Sequence, residues 1–223
     1  MTIVQIVGWP AFLARSGTGT VSRVILVVAA VKGGVGKTTS SVYLAALGAA
    51  RRSTAIIDAD PQASAAEWVE QAVDERLAKI TVVEAPTERL VTKALDRLAD
   101  EELVVVVDCP PAHDRMVAKL IERADVVVIP TRVGGIEIPR VEAVLGLIPE
   151  GTPAGLVITS ARTFTRDYQE AVATWAQARV PVWGTIPERV GIAAGPTRPL
   201  HEDGLAAYRK VWRRVQSAAR SAG

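Results

Sequence analysis

The chain has 223 residues and a net charge of +2, with 49% hydrophobic and 22% charged residues, which is typical of a globular protein and excludes a disordered one. Cys109 is the only cysteine, which excludes an intramolecular disulfide and any metal or iron–sulfur site that needs several cysteines. After residue 21, the longest uncharged apolar run is about eight residues, far shorter than the ~20 needed to span a membrane.

Residues 1–21 differ in character from the rest of the chain. Their apolar stretch is interrupted by Gly8-Trp9-Pro10 and is followed by the linker-like Ser16-Gly17-Thr18-Gly19-Thr20. No basic residue precedes the apolar stretch, as a secretory signal peptide would require. We expect residues 1–21 to be an attached peptide, a flexible arm or the product of a start site placed too far upstream. Residues 22–223 are expected to form a single domain.

From residue 22 onward, β-type apolar runs alternate with helical patterns. The predicted strands are residues 24–30, 53–58, 80–84, 103–108, 125–130, 154–159 and 181–186. The predicted helices are residues 38–50, 62–78, 87–99, 112–123, 137–148, 167–178 and 204–219. Most of these strands are nearly continuous Val, Ile, Leu and Ala, as expected for a parallel sheet covered on both faces. The sequence therefore predicts an α/β fold with a doubly wound, mostly parallel sheet and a ligand at the carboxyl ends of the strands.

A glycine-rich segment joins the first predicted strand to the first helix. It reads Lys32-Gly33-Gly34-Val35-Gly36-Lys37-Thr38-Thr39. Such a turn directs successive backbone N–H groups and a positive helix end at one point, which makes a phosphate-binding loop. Lys37 can reach the β- and γ-phosphates of a nucleotide, and the Thr38 hydroxyl can bind Mg²⁺. The usual spacing of this motif would place glycine at position 31, but the chain has Val31 there and a second lysine at position 32.

Two further motifs follow predicted strands. Asp58-Ala59-Asp60-Pro61-Gln62 comes after the second strand, and Asp108-Cys109-Pro110-Pro111 after the fourth. Acidic residues at strand ends beside a phosphate loop can bind a metal ion or orient a water molecule. The pair Asp58 and Asp60 could also be a turn motif. All three motifs lie where one nucleotide could contact them together.

These motifs resemble those of the ParA/MinD family of ATPases, which carry a deviant Walker A sequence with the extra lysine. The pattern D-x-D-P-Q at residues 58–62 resembles the ParA variant, D-x-P-P at 108–111 resembles Walker B, and residues 125–130 match the strand that follows it. The resemblance covers about residues 23–216 and is closest to short ParA-type partition ATPases. It implies a P-loop NTPase fold.

The resemblance also implies roles for individual residues. Asp60 would orient the attacking water, Asp58 and Asp108 would hold Mg²⁺ through its bound waters, and Thr39 would bind the α-phosphate. Lys32 would reach the partner subunit's phosphates in a dimer with ATP at the interface. The phosphates would lie against Lys32, Gly33, Gly34, Val35, Gly36, Lys37, Thr38 and Thr39, and the base would be flanked by Thr159, Ser160, Pro187, Glu188 and Arg189. The choice of ATP over GTP follows from the resemblance alone.

Positive charge is concentrated in the C-terminal third. Residues 157–223 have a net charge of +5, while the rest of the chain has −3. On the last predicted helix, Arg209, Lys210, Arg213 and Arg214 occupy neighbouring stripes away from its apolar residues. This pattern indicates either an anionic partner such as DNA or an ordinary solvated helix face.

The function that these observations favour is that of a cytoplasmic, nucleoid-associated partition ATPase. Its ATP-bound homodimer would bind DNA without sequence preference, and a ParB-like or other cargo adaptor would stimulate hydrolysis. The cargo could be a plasmid, a chromosome region or a protein assembly. Two alternatives stay open: a MinD-like ATPase that binds membranes through an amphipathic helix, and a P-loop biosynthetic ligase of the dethiobiotin or cobyrinate type. We expect membrane binding to be the weaker alternative, because the last helix reads as part of the packed domain.

Overall fold

The computed structural model describes residues 23–98, 103–111, 115–178 and 180–222 of the chain. The expected extension over residues 1–21 lies outside the described residues. So do residue 99, at the end of one predicted helix, and residues 112–114, at the start of another. The four described stretches contain seven strands and seven α-helices, in strictly alternating order up to β7 and α7.

The strands lie close to their predicted positions. They are β1 (Val24–Val28), β2 (Ser53–Asp58), β3 (Thr81–Glu84), β4 (Leu103–Asp108), β5 (Val126–Thr131), β6 (Ala154–Ala161) and β7 (Val182–Pro187). The α-helices are α1 (Lys37–Ala49), α2 (Ser64–Glu70), α3 (Glu88–Arg97), α4 (Arg115–Glu122), α5 (Ile138–Leu145), α6 (Arg166–Gln177) and α7 (Glu202–Ala222). A short 3₁₀ helix, Gly135–Glu137, precedes α5.

The seven strands form one sheet in the order β3-β2-β4-β1-β5-β6-β7, and every strand pair is parallel. β1 lies at the centre, between β4 and β5. The carboxyl ends of all strands therefore meet at one edge, and β1, β2 and β4 bring the three predicted motifs together there. The predicted α/β fold with a doubly wound parallel sheet is confirmed.

Two apolar layers cover the sheet. One face packs against α3, α4, α5 and α6, and the other packs against α1, α2 and α7. The middle strands are buried on both sides, which is why they consist almost wholly of aliphatic residues rather than an alternating pattern. Among the described residues, none of the helices combines the length and apolarity that crossing a bilayer would require.

The predicted helix over residues 62–78 is wrong in extent, since α2 ends at Glu70. Beyond it the chain forms turns, and the Asp74 carboxylate accepts hydrogen bonds from the backbone N–H groups of Arg76 (2.9 Å) and Leu200 (2.7 Å). An Asp side chain that bonds to nearby backbone competes with the helix, and here the competing bonds also fix a distant segment. That tertiary contact could not be foreseen from helical periodicity.

Candidate nucleotide-binding site

The loop between β1 and α1 depends on glycine at two positions. Gly34 and Gly36 have φ of 75° and 90°, in the left-handed region that side chains disfavour. Gly36 also forms the N-cap of α1, and a Cβ atom built on it would lie 3.3 Å from Cγ2 of Thr159. The turn therefore exposes the first N–H groups of a 13-residue helix at the carboxyl edge of the sheet, as an anion-binding loop requires.

The two lysines of this loop occupy different environments. Lys37 is only 7% exposed, and its Nζ donates a hydrogen bond to the Lys32 carbonyl oxygen at 3.3 Å. The Lys32 side chain is exposed. Lys37 lines the cavity of its own chain, whereas Lys32 is not among the lining residues.

Asp108, at the end of β4, is bound to the first turns of α1. Its Oδ2 accepts a hydrogen bond from the Thr38 hydroxyl and its Oδ1 accepts one from the Ser41 hydroxyl, both at 2.8 Å. Burial raises the pKa of this carboxyl to about 7, because the charged form is poorly solvated, although the two hydroxyls and Lys37 act in the opposite direction. A cation beside Thr38 and Asp108 would compensate that cost.

Asp58, at the end of β2, is engaged by the backbone. Its Oδ2 accepts hydrogen bonds from the N–H groups of Ala65 (2.8 Å) and Ala66 (2.9 Å), and its Oδ1 accepts one from Asp60 (3.1 Å). Burial raises the pKa of Asp58, and the three N–H donors oppose that rise. Asp58 therefore fixes the turn that carries Asp60 and satisfies the first N–H groups of α2. Its contact with Mg²⁺ through water stays a prediction.

Asp60 faces the cavity from this turn. Its Oδ1 accepts a hydrogen bond from the Gln62 backbone N–H at 3.0 Å, and both residues line the cavity. The side chain is half-buried, so one carboxylate oxygen has a fixed protein partner while the group remains open to the site. A carboxylate held in this way can orient a water molecule.

The motifs surround one cavity of about 830 Å³, a volume in the range of small-ligand sites. We call one side the P-loop end; it is lined by Gly33, Gly34, Gly36, Lys37, Thr38, Thr39, Asp60, Pro61, Gln62, Ser64, Pro110 and Pro111. We call the other side the β7 end; it is lined by Arg132, Thr159, Ser160, Ile186, Pro187, Glu188, Arg189, Ile192, Ala193 and Tyr208. The structure thus brings most of the predicted phosphate-loop residues and all of the base-flanking residues to the same cavity, whereas Lys32, Val35, Asp58 and Asp108 are not among its lining residues.

The β7 end is joined to the P-loop end by Thr159 on β6. Its hydroxyl lies 2.8 Å from the Val35 carbonyl oxygen and 3.0 Å from that of Thr131. The next residue, Ser160, has φ of 48°, a left-handed conformation that is uncommon outside glycine. Arg189 is partly exposed, and its Nε donates to Asp203 at 3.0 Å.

Sequence reasoning missed five of the residues that line the β7 end: Arg132, Ile186, Ile192, Ala193 and Tyr208. Arg132 follows directly on β5, so the rule that ligands bind at strand ends could have identified it. Helical periodicity places Tyr208 only on the apolar face of the last helix. Its hydroxyl lies 2.8 Å from the Ser40 hydroxyl, and its ring stacks on Tyr43 with centroids 5.0 Å apart. No sequence signal showed that this face meets the start of α1.

The four basic residues predicted to contact DNA are all exposed on α7: Arg209, Lys210, Arg213 and Arg214. The apolar side of the same helix is buried against α1 and β7 through Leu205, Tyr208, Val211, Trp212 and Val215. Within the described parts of the chain, no ion pair reaches any of the four basic residues. The predicted separation of basic and apolar faces is confirmed, while DNA contact stays a prediction.

Comparisons with known proteins agree with this geometry. Residues 26–200 match the family described as the CobQ/CobB/MinD/ParA nucleotide binding domain. The chain is 36% identical over 144 residues to Maintenance of carboxysome distribution protein A of Gloeobacter kilaueensis, a match that covers 63% of this chain and 64% of that protein. The aligned region thus spans less than two thirds of the relative.

Solved structures show the same fold at low sequence identity. A putative plasmid partition protein from Borrelia burgdorferi bound to AMPPNP superposes with a TM-score of 0.73 at 18% identity, covering 87% of this chain and 98% of that one. The septum site-determining protein MinD from Pyrococcus horikoshii with Mg-ADP gives the same TM-score and identity, covering 91% and 99%. These likenesses show the fold and do not separate a partition protein from a MinD protein. From the family match and the three motifs at one cavity, we conclude that the chain belongs to the CobQ/CobB/MinD/ParA family of nucleotide-binding domains.

Proposed function

We propose that this chain is a ParA-type positioning ATPase whose ATP-bound homodimer binds DNA without sequence preference. A cargo-bound adaptor stimulates hydrolysis and releases the dimer from DNA. The observation that carries this proposal is the placement of the two loop lysines. Lys37 is buried in the site of its own chain, while Lys32 is exposed at the front of the same loop. The ammonium group of Lys32 is not needed to bind the nucleotide of its own subunit, but it can reach a nucleotide held by the partner subunit.

The residues at the P-loop end fit a magnesium nucleotide. Thr38 and Asp108 offer oxygen ligands, which Mg²⁺ prefers, and the carboxylate of Asp108 is buried and short of compensating positive charge. When bound, Mg²⁺ would neutralise charge on the phosphates. No group of three or more acidic, histidine or cysteine side chains suited to a metal occurs in the described residues. Phosphate oxygens and water would therefore complete the coordination.

Each protein group then has a separate task. The loop N–H groups and Lys37 bind the phosphates, with Lys37 facing the β- and γ-phosphates. Asp60 orients the water that attacks the γ-phosphate, and Asp58 positions Asp60 through the hydrogen bond to its backbone N–H. The β7 end receives the base between Pro187 and Arg189. ATP is proposed as the nucleotide because of the family relationship.

The kind of cargo is supported by the name of one relative, which is named for maintenance of carboxysome distribution. That name describes the placement of a large object in a cell, and we propose the same kind of role here, in the cytoplasm and on the nucleoid. Whether the object is a plasmid, a chromosome region or a protein assembly depends on the adaptor.

DNA is favoured over a membrane as the surface that the dimer binds. A lipid-binding amphipathic helix must present its apolar side to the bilayer. On α7 that side is packed into the core, with Tyr208 and Val211 wholly buried and Trp212 only 9% exposed. The basic side is the exposed one, and in a dimer two such faces would act together on one polyanion.

The test is co-sedimentation of the protein with duplex DNA at low salt, with and without ATP. Arg213→Glu together with Arg214→Glu should weaken DNA binding at least tenfold, or about 1.4 kcal/mol, while ATP-driven dimerisation is retained. Lys79→Glu with Arg51→Glu is the matched control, because both residues are exposed, lie off α7 and give the same change in net charge. Lys32→Ala should bind ATP as a monomer but fail to dimerise.

Three results would contradict the proposal. ATP-dependent binding to anionic liposomes without DNA binding would favour a MinD-like protein. Turnover that requires a small-molecule substrate, rather than a protein partner, would favour a biosynthetic ligase. Unchanged DNA affinity in the α7 variant would contradict the placement of the DNA surface on α7 and move it to Arg162, Arg166, Arg189 and Arg198.

A further inference from the structure

Helix α3 carries a row of basic side chains remote from the nucleotide cavity. Arg89, Lys93 and Arg97 follow one another at intervals of four residues, so they lie along one side of the helix. All three are exposed, and a shallow surface depression runs along them past Thr92. Because α3 covers the face of the sheet opposite α7, this row is separate from the basic face of α7.

The acidic side chains of α3 form ion pairs with basic side chains on or directly after α4, and not with the basic row. Glu88 accepts a hydrogen bond from Lys119, and Asp96 accepts one from Arg123 at 2.8 Å. Within residues 23–98 and the other described stretches, no ion pair reaches the three basic residues of the row. Residues 99–102, three of which are acidic, lie outside the described part. Among the described residues alone, the surface shared by α3 and α4 has an excess of positive charge.

This arrangement works against the stability of the isolated helix. Like charges four residues apart repel each other, and Arg89–Lys93 and Lys93–Arg97 are two such pairs. The only acid near the middle of the row, Asp96, is held by Arg123. An external row of negative charges would relieve both repulsions at once, which a single small anion could not do.

We propose that Arg89, Lys93 and Arg97 form a second DNA-contacting surface, which binds the phosphate backbone on the side of the molecule opposite α7. This inference rests on the proposed function, in which the chain binds DNA. The row is about 12 Å long, at 1.5 Å per residue. A duplex carries one phosphate charge per ~1.7 Å of its axis, so about seven charges pass along that length.

A duplex fits this surface better than a membrane or a protein does. The large hydrophobic side chains that are exposed among the described residues are Val73, Phe164 and Val190, and none of them is on α3. Insertion into lipid needs apolar side chains, and arginines act as protein–protein hot spots mainly in well-packed, desolvated pockets, whereas this row lies exposed along a shallow depression. Cations beside a hydroxyl, here that of Thr92, are the groups that contact phosphates without reading bases.

The experiment measures DNA affinity by fluorescence anisotropy, with ATP and Mg²⁺, over a series of salt concentrations. Lys93→Glu with Arg97→Glu should weaken binding at least tenfold and reduce the slope of log K against log[salt] by about 2, because two phosphate contacts are lost. Lys79→Glu with Arg51→Glu, two exposed residues outside α3 and α7, gives the same net charge and should stay near wild type. Lys93→Gln with Arg97→Gln keeps good helix formers and should show a smaller loss with a similar change in slope.

Size-exclusion chromatography with ATP and circular dichroism check that the variants dimerise and fold. If the α3 variant is folded and binds DNA with the affinity and salt slope of the wild type, the inference is wrong. It is also wrong if the control variant loses as much DNA affinity as the α3 variant. If the α7 variant loses affinity and the α3 variant does not, only this inference fails. If the wild type binds no DNA at low salt with ATP, the proposed function fails and this surface with it. The inference would also be overturned if the α3 variant lost binding to RNA or to anionic vesicles while its DNA affinity stayed unchanged.

Discussion

The P-loop end of the cavity is built mainly from three short sequence motifs, whereas the β7 end is held by contacts between segments that are far apart in the chain. Asp108 binds Thr38 and Ser41, and Asp58 binds its own following turn. At the β7 end, the Thr159 hydroxyl bonds to the Val35 carbonyl oxygen and the Tyr208 hydroxyl lies beside that of Ser40, 124 and 168 positions away. A motif can specify the first kind of site because the loop glycines and Asp58 act on nearby backbone and the pairing of β1 with β4 places Asp108 beside α1, but the second kind depends on the whole fold.

The largest effect is expected for Lys37→Ala, at the P-loop end. Removal of the buried ammonium group that faces the phosphates should lower ATP affinity at least 1000-fold, about 4 kcal/mol, in a calorimetric titration. Lys32→Ala is the control, and its monomer should bind ATP within a fewfold of the wild type. Similar losses in both variants would show that the two lysines act on the same nucleotide, against the division between them.

Asp60→Ala should reduce ATP hydrolysis about 100-fold and leave ATP binding intact, so that the dimer persists with ATP. The reason is the loss of the carboxylate that orients water. Asp60→Asn separates this role from a structural one, because it keeps an oxygen for the hydrogen bond from the Gln62 N–H but loses the charge. Phosphate release assays should find both variants inactive; full activity in Asp60→Asn would assign the residue to turn geometry instead.

Asp74→Asn tests a contact between distant segments, because Asp74 accepts a hydrogen bond from the Leu200 backbone N–H. Hydrogen bonds from Arg76 lower the pKa of Asp74 to about 2, so its ionised form stabilises the folded state by at most about 2 kcal/mol. Because the folded pKa is the lower one, this contribution is present above pH ~4 and is lost as the pH falls towards 2. Urea unfolding should therefore find the variant less stable at pH 7, with the difference shrinking in acid.

The control for Asp74 is Glu170→Gln on α6. Its ion pair with Arg166 is exposed and spans one helical turn, so the loss of stability should stay below about 0.5 kcal/mol. A difference between wild type and Asp74→Asn that does not change between pH 7 and pH 2 would contradict the assigned charge interaction.

The smallest effect is expected for Gly36→Ala, measured by thermal unfolding without nucleotide. A left-handed backbone and the 3.3 Å approach to Thr159 should cost about 1–2 kcal/mol, which corresponds to several degrees. Gly33→Ala is a matched control in the same loop, because Gly33 has no positive φ and a Cβ atom added to it would meet no other atom within 4 Å. Equal stability of the two variants would show that a side chain at position 36 causes no backbone strain.

The sequence predicted most of the fold because its strands are continuous aliphatic runs. Strands of a parallel sheet that are buried on both faces accommodate few residue types other than aliphatic ones. It also predicted the P-loop end, since glycine at positions 34 and 36 and an acid after β4 are demanded by local backbone and phosphate chemistry. It failed on the length of α2, because helical periodicity over residues 71–78 says nothing about the bond from Leu200 to Asp74.

What the sequence alone determined is the family, the layered parallel fold and the position of the glycine-rich loop between β1 and α1, all of which follow from short-range patterns. Tertiary structure decided that Asp58 holds a turn, that Tyr208 meets Ser40, and that Arg132 faces the cavity. It also left the basic rows on α3 and α7 exposed on opposite sides of the sheet. These features depend on which segments pack together, and packing between distant segments leaves no local pattern in the chain.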